Sequence, residues 1–108
     1  NTNVAPVNKV EIVDGRQIVN MKIVRYDYFP SEFTIVEGIP VEWRIDGSQA
    51  AGCAQVVTIP KLKIQEVISG ANNIIEFTPT KTGRLDFMCS MAMTTPGAHF
   101  NVIPNTEI

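Results

Sequence analysis

The chain has 108 residues, 44% apolar and 19% charged, which sets one ordinary domain able to bury roughly two thirds of its unfolded surface. Nine Lys and Arg against eleven Asp and Glu leave a net charge of −2. That lacks the basic excess of a nucleic-acid binder, so no nucleic-acid partner is expected, and no apolar run approaches the roughly 18 residues of a membrane-spanning helix.

Seven Gly and seven Pro interrupt the chain, and the segments between them follow period two rather than a helical repeat. Val10 to Val13 precedes Asp14-Gly15-Arg16 and is expected to pair as a hairpin with Ile18 to Arg25, because Asp-Gly favours a tight turn. Phe33 to Val36 follows, closed by Glu37-Gly38. In Val41 to Asp46 the residues Val41, Trp43 and Ile45 face one way, and Glu42, Arg44 and Asp46 face the other, so Trp43 is assigned to the core. A loop is expected from Asp46 to Gly52, then strands from Ala54 to Ile59, Ile74 to Thr78, Gly83 to Cys89 and Phe100 to Ile103. Seven or eight short strands with regular turn signals predict an all-β antiparallel Greek-key sandwich. The whole chain, residues 1–108, is read as a single domain, with 1–8 and 105–108 as flexible tails. Those ends look like processing products, so a fragment of something longer, or a mature secreted form, is expected.

The informative counts are small: two Cys, one His and four Met. One His leaves little room for hydrolytic chemistry. No paired carboxylates, phosphate-cradling glycine loop or nucleophile–base pair is present in the pattern, so an enzyme is not expected. Sulfur clusters instead. Cys89-Ser90-Met91-Ala92-Met93 places one thiol and two thioethers within five residues, directly after a strand. Alternation sends Met88 to the face opposite Phe87 and Cys89. Cys53 sits at the other strand–loop junction. Thiolate and thioether are polarizable donors suited to Cu(I) or Ag(I), whereas Zn(II) rarely uses thioether and wants four Cys or His ligands. A single Met in a β protein is usually core filler, but three Met and a Cys within six residues at a loop are harder to explain as packing. From spacing alone, a Cys53–Cys89 disulfide and a metal site stand level. His99 points outward if Phe100 and Val102 are core. The plain reading is a surface His, and the sharper one is a metal ligand. Asp46 and Ser90 are weak candidates for hydrogen bonds behind the ligands.

The run Gly38-Ile39-Pro40-Val41-Glu42-Trp43, then Gly52-Cys53, Ile59-Pro60, Ile75-Glu76-Phe77-Thr78-Pro79, Gly83, Phe87-Met88-Cys89-Ser90-Met91-Ala92-Met93 and Gly97 resembles the cupredoxin superfamily. More narrowly it is similar to the plastocyanin-like domains attached to bacterial heavy-metal-handling membrane proteins, over about residues 18 to 103. The resemblance implies that the Cys53 and Cys89 loops converge at one end of the sandwich. Cys53 falls where an electron-transfer cupredoxin carries its first His, Cys89 matches the family's Cys, and Met93 or Met91 would complete the site. The sequence departs from the redox members. The second His of the plastocyanin pattern falls on Ala92 and that of the azurin pattern on Thr94. The second Cys and following His of a binuclear CuA loop fall on Met93 and Gly97. Sulfur in place of imidazole favours one oxidation state. The leading expectation is therefore a Cu(I)-holding domain for copper or silver trafficking or resistance. It would be extracytoplasmic, with the metal ion and a membrane-embedded transporter or parent membrane protein as partners. The alternatives are an electron-transfer cupredoxin using Cys89, His99, Met93 and Cys53, or a metal-free interaction module with a Cys53–Cys89 disulfide.

Overall fold

A computed structural model describes residues 8, 10–89 and 96–105. Ten strands are present among them: β1 (Glu11–Val13), β2 (Arg16–Arg25), β3 (Asp27–Phe29), β4 (Glu32–Val36), β5 (Val41–Ala50), β6 (Val56–Ile59), β7 (Ile64–Val67), β8 (Asn73–Phe77), β9 (Gly83–Asp86) and β10 (His99–Ile103). One sheet runs β1-β2-β5-β8, with β3 also on β2; a second runs β4-β10-β9; and β6 pairs with β7. A single bridge between Thr58 and Met88 continues β9 onto β6. The β6–β7 ribbon therefore extends the second sheet.

The all-β sandwich is as expected, with differences in detail. Two of the pairings, β2 with β5 and β4 with β10, are parallel, so the sheets are mixed rather than antiparallel. Asp14 (φ 52°) and Gly15 (φ 77°) both adopt the left-handed conformation that a tight hairpin between β1 and β2 requires. The stretch from Asp46 expected as a loop is instead strand to Ala50. A register shift between Lys22 and Val24 lets β2 carry β5 onward, to Arg25 beside Ala50. Gly47 is required there, since a methyl group on it would lie 2.3 Å from Ile68 Cγ2. The expected strand start at Ala54 is a 3-10 turn, Gly52–Gln55, and β6 begins at Val56. Regular pairing of β9 ends at Asp86, short of the expected Cys89. Strands β3 and β7 were not anticipated. Of the expected tails, residues 1–7 and 106–108 lie outside the described residues. Asn8 and Asn105 bond to Glu32 O and Glu37 O, respectively.

The core lies between the sheets. Trp43 is fully buried, with ring centroids 4.8 Å from Phe87 and 5.0 Å from Phe100 in edge-on contact. Phe87 also meets Phe100 at 5.0 Å and Tyr28 at 5.3 Å. On the outer face, Arg16 bonds Glu42 and Glu76, and Arg44 bonds Glu42. These exposed pairs add little stability each.

The edge of β4 is closed without a full strand. Thr34 N donates to Asn8 O, and Val10 N donates to Thr34 O. Two residues on, the Gln17 side chain takes over. Its Oε1 accepts from Val36 N at 2.7 Å, and its Nε2 donates to Val36 O and Ile39 O, both at 2.9 Å. Gln17 is fully buried. Its amide imitates a peptide unit and finishes the ladder.

Candidate metal centre

Phe87 is the anchor from which the site is built. Its ring is locked in the aromatic core, and the chain alternates from there: Phe87 buried, Met88 half-buried, Cys89 fully buried. Cys89 thus shares the face of Phe87 and opposes Met88, the alternation read from the sequence, and the burial of Phe87 makes that face the core side. The Thr58–Met88 bridge fixes this segment beside β6. Thr58 N donates to Met88 O at 2.7 Å, Met88 N to Thr58 O at 3.1 Å, and Thr58 Oγ1 to Met88 O at 2.9 Å.

That bridge is antiparallel. Moving forward from Met88 to Cys89 therefore means moving back along β6, from Thr58 toward Val56 and the Gly52–Gln55 turn. The turn, which carries Cys53 in its backbone, lies at the same end of the sandwich as Cys89. It is pinned by Ala51 N donating to Arg25 O at 2.9 Å, Ala54 N to Ala51 O at 3.0 Å and Ile68 N to Gln55 O at 2.6 Å. Gly52 before it has φ +52°, and a methyl group there would come within 3.0 Å of Tyr26 Oη. The Gly of Gly52-Cys53 is thus needed twice, for its conformation and for the close approach of Tyr26. Sequence reasoning did not single out Tyr26; the glycine before the cysteine was the available signal.

Met91, Met93 and Ser90 lie outside the described residues. Asp46 is already used: its Oδ1 accepts from Ser48 N at 3.0 Å and Ser48 Oγ at 2.7 Å. The backbone bond from Ser48, then its hydroxyl bond, holds the Asp46 carboxyl below its ordinary range. The Arg44 hydrogen bond, aided by Arg16, does the same for Glu42. Both carboxylates sit on the outer face of β5. Among the described residues no three His, Cys, Asp or Glu side chains gather as a metal cluster. The donor chemistry at the Cys89 end is soft: a buried thiol, with the second cysteine's turn at the same end. It fits a monovalent soft metal better than a hard cation or Zn(II).

His99 is on the outward face of β10, between buried Phe100 and the turn at Gly97. Its ring is largely covered, with 13% of the side chain exposed, and Nε2 lies 3.6 Å from Glu32 Oε2. Nδ1 lies 2.7 Å from Gly97 O. The structure places it on the face opposite to the one Cys89 takes.

Three solved structures share this architecture. The metal-binding domain of the Streptococcus pneumoniae D39 Cu(I)-exporting P-type ATPase CopA, solved with Cu(I), superposes with a TM-score of 0.80 at 25% identity, covering 89% of this chain and 94% of that one. A copper-binding protein solved in the apo form by NMR gives 0.80 at 20% identity, covering 89% and 96%. An oxidized amicyanin mutant gives 0.51 at 15% identity, covering 92% of each chain. The last two speak to the fold alone. A comparison with curated protein sequences found no match. The cupredoxin-like domain profile matches residues 4–102, and with a sandwich of this topology the chain belongs to the cupredoxin-like domain family.

Proposed function

We propose that this domain holds Cu(I), and in its place Ag(I), for copper trafficking or resistance. Cys53 and Cys89 serve as thiolate ligands, Met93 as the thioether, and Met91 as an alternative or additional one. The observation that carries the reading is the setting of Cys89: a fully buried thiol at one end of the sandwich, at the end where the Gly52–Gln55 turn leads into β6. The likeness to a domain solved with Cu(I) supports the choice of metal. The ligands must bind deprotonated, so uptake releases a proton from each thiol, while the thioethers bind without one. Sulfur ligation disfavours Cu(II), which suits holding and passing the metal rather than relaying electrons. The domain acts outside the cytoplasm, and its partner for transfer is a membrane-embedded transporter or the parent membrane protein.

The test is anaerobic titration of the reduced protein with Cu(I) against a competing chelator. The parent competes, and Cys53→Ser and Cys89→Ser lose that ability while keeping the parent's circular dichroism. X-ray absorption of the loaded protein shows sulfur neighbours and no nitrogen. Serine variants that bind as tightly as the parent overturn the proposal.

A further inference from the structure

Two sets of contacts hold Gly97 and Ala98 where the chain enters β10. On the core side, Phe87 N donates to Ala98 O at 3.1 Å. On the outer side, the Gly97 carbonyl is held from two directions. His99 Nδ1 lies 2.7 Å from it, and Arg84 Nη2 donates to it at 3.2 Å. Each of these groups is itself fixed. Arg84 Nε donates to Asp86 Oδ1 at 2.6 Å. His99 Nε2 faces Glu32 Oε2 at 3.6 Å, and that same oxygen accepts from Asn101 Nδ2 at 2.8 Å. His99 is in register with both Glu32 and Asp86, and Asn101 with Arg84, so the set occupies two neighbouring rows on one face of β4, β10 and β9.

A carbonyl can only accept. The 2.7 Å contact therefore requires the proton on His99 Nδ1, which commits that nitrogen to Gly97. The remaining nitrogen faces a carboxylate on the outer surface of the sheet, away from the Cys89 face. We propose that His99 and Arg84 are positioning residues that clamp Gly97 and fix the entry of the chain into β10, and that His99 is not a copper ligand. The inference rests on the copper reading only for what the clamp serves; the clamp itself stands on the distances above.

The test separates the two ring nitrogens. His99→Asn keeps a donor where Nδ1 stands and removes the Nε2 position. His99→Gln does the reverse, and Arg84→Met removes the second donor. In the metal-free protein, amide hydrogen exchange at Phe87 rises about five- to tenfold in His99→Gln and Arg84→Met, the scale of one lost hydrogen bond. In His99→Asn it stays near the parent rate, while amides of β2 and β5 are unchanged in all three. Release of Cu(I) to a chelator follows the same order, and X-ray absorption finds no nitrogen at the metal in the parent. A copper–nitrogen shell lost in His99→Asn overturns the proposal, as does parent-like exchange at Phe87 in both His99→Gln and Arg84→Met. If the parent takes up no Cu(I), the proposed function falls, and the exchange measurements on metal-free protein still decide the clamp.

Discussion

Replacing Gln17 with Leu tests whether a side-chain amide finishes the β4 ladder. Leu keeps the volume and removes three hydrogen bonds, leaving Val36 N–H, Val36 C=O and Ile39 C=O without this partner. A buried polar group left unpaired costs about 1–3 kcal/mol. The two carbonyls fall at the low end, and the apolar side chain recovers part of the loss, so the net cost is about 2–4 kcal/mol. For 108 residues at roughly 2 cal/mol/K each, 1 kcal/mol moves Tm by about 4 °C. The expected drop is about 8–16 °C, read by thermal and urea unfolding with an unchanged m-value. Gln17→Glu sharpens the test. A buried carboxylate facing two carbonyls is driven toward its protonated form, so its folded pKa lies above the unfolded value of about 4.3. Its deficit relative to the parent is therefore smallest below pH about 4 and grows as the pH rises toward 7. A Gln17→Leu variant within about 1 kcal/mol of the parent would refute the reasoning, because three buried backbone groups would then have found other partners.

Cu(I) buffered at about a hundredfold above its Kd should stabilise the reduced protein by about 2.7 kcal/mol, a rise in Tm of roughly 10 °C, and Cys89→Ser should show none; anaerobic thermal unfolding measures it. Gly52→Ala should cost about 1–2 kcal/mol for the left-handed backbone, and should weaken Cu(I) uptake further because Tyr26 must move away beside Cys53. Phe87→Ala should cost about 3–5 kcal/mol, seen as a lower urea midpoint. Asp46 contributes through its bonds from Ser48, and its lowered pKa sets the sign: the contribution is present above the unfolded pKa of about 4 and is lost as pH falls through the lower folded value. Asp46→Asn should thus unfold more easily than the parent at pH 6, with the gap closing as pH falls toward about 2.

Much of the fold was legible because its signals are local. Asp14-Gly15 supplies two left-handed residues in a row, and Val41 to Ile45 alternates cleanly about Trp43. Where the signal is absent, the reading stopped short. In β7 Ile64 is half-buried, and Gln65, Glu66 and Val67 are exposed, so no alternation marks it as a strand. β3 is three residues long. The continuation of β5 to Ala50 depends on its neighbour β2, not on its own residues. The parallel pairing of β10 with β4 joins segments more than sixty residues apart in sequence, and nothing in either segment names the other.

The site divides along the same line. Parity alone put Cys89 on the face of Phe87, opposite Met88, and the packing of Phe87 shows that face to be the inward one. It took the antiparallel Thr58–Met88 bridge to bring the Gly52–Gln55 turn to that end. Parity also bears on the one imidazole. His99 faces outward because Phe100 and Val102 face the core, and Phe100 is fully buried against Trp43, Phe77, Phe87 and Phe33. Turning His99 inward by strand register would need a one-residue slip of β10. That slip would expose Phe100 and break the pairing with both β4 and β9 at once. Losing the burial of Phe100 alone costs about 3–5 kcal/mol, a large share of the roughly 5–15 kcal/mol that holds a domain together. A redox copper centre needs imidazole to make Cu(II) accessible. With the single imidazole on the outer face, the proposed Cys and Met ligands at the Cys89 end would carry the metal through sulfur alone, the donor type that favours Cu(I).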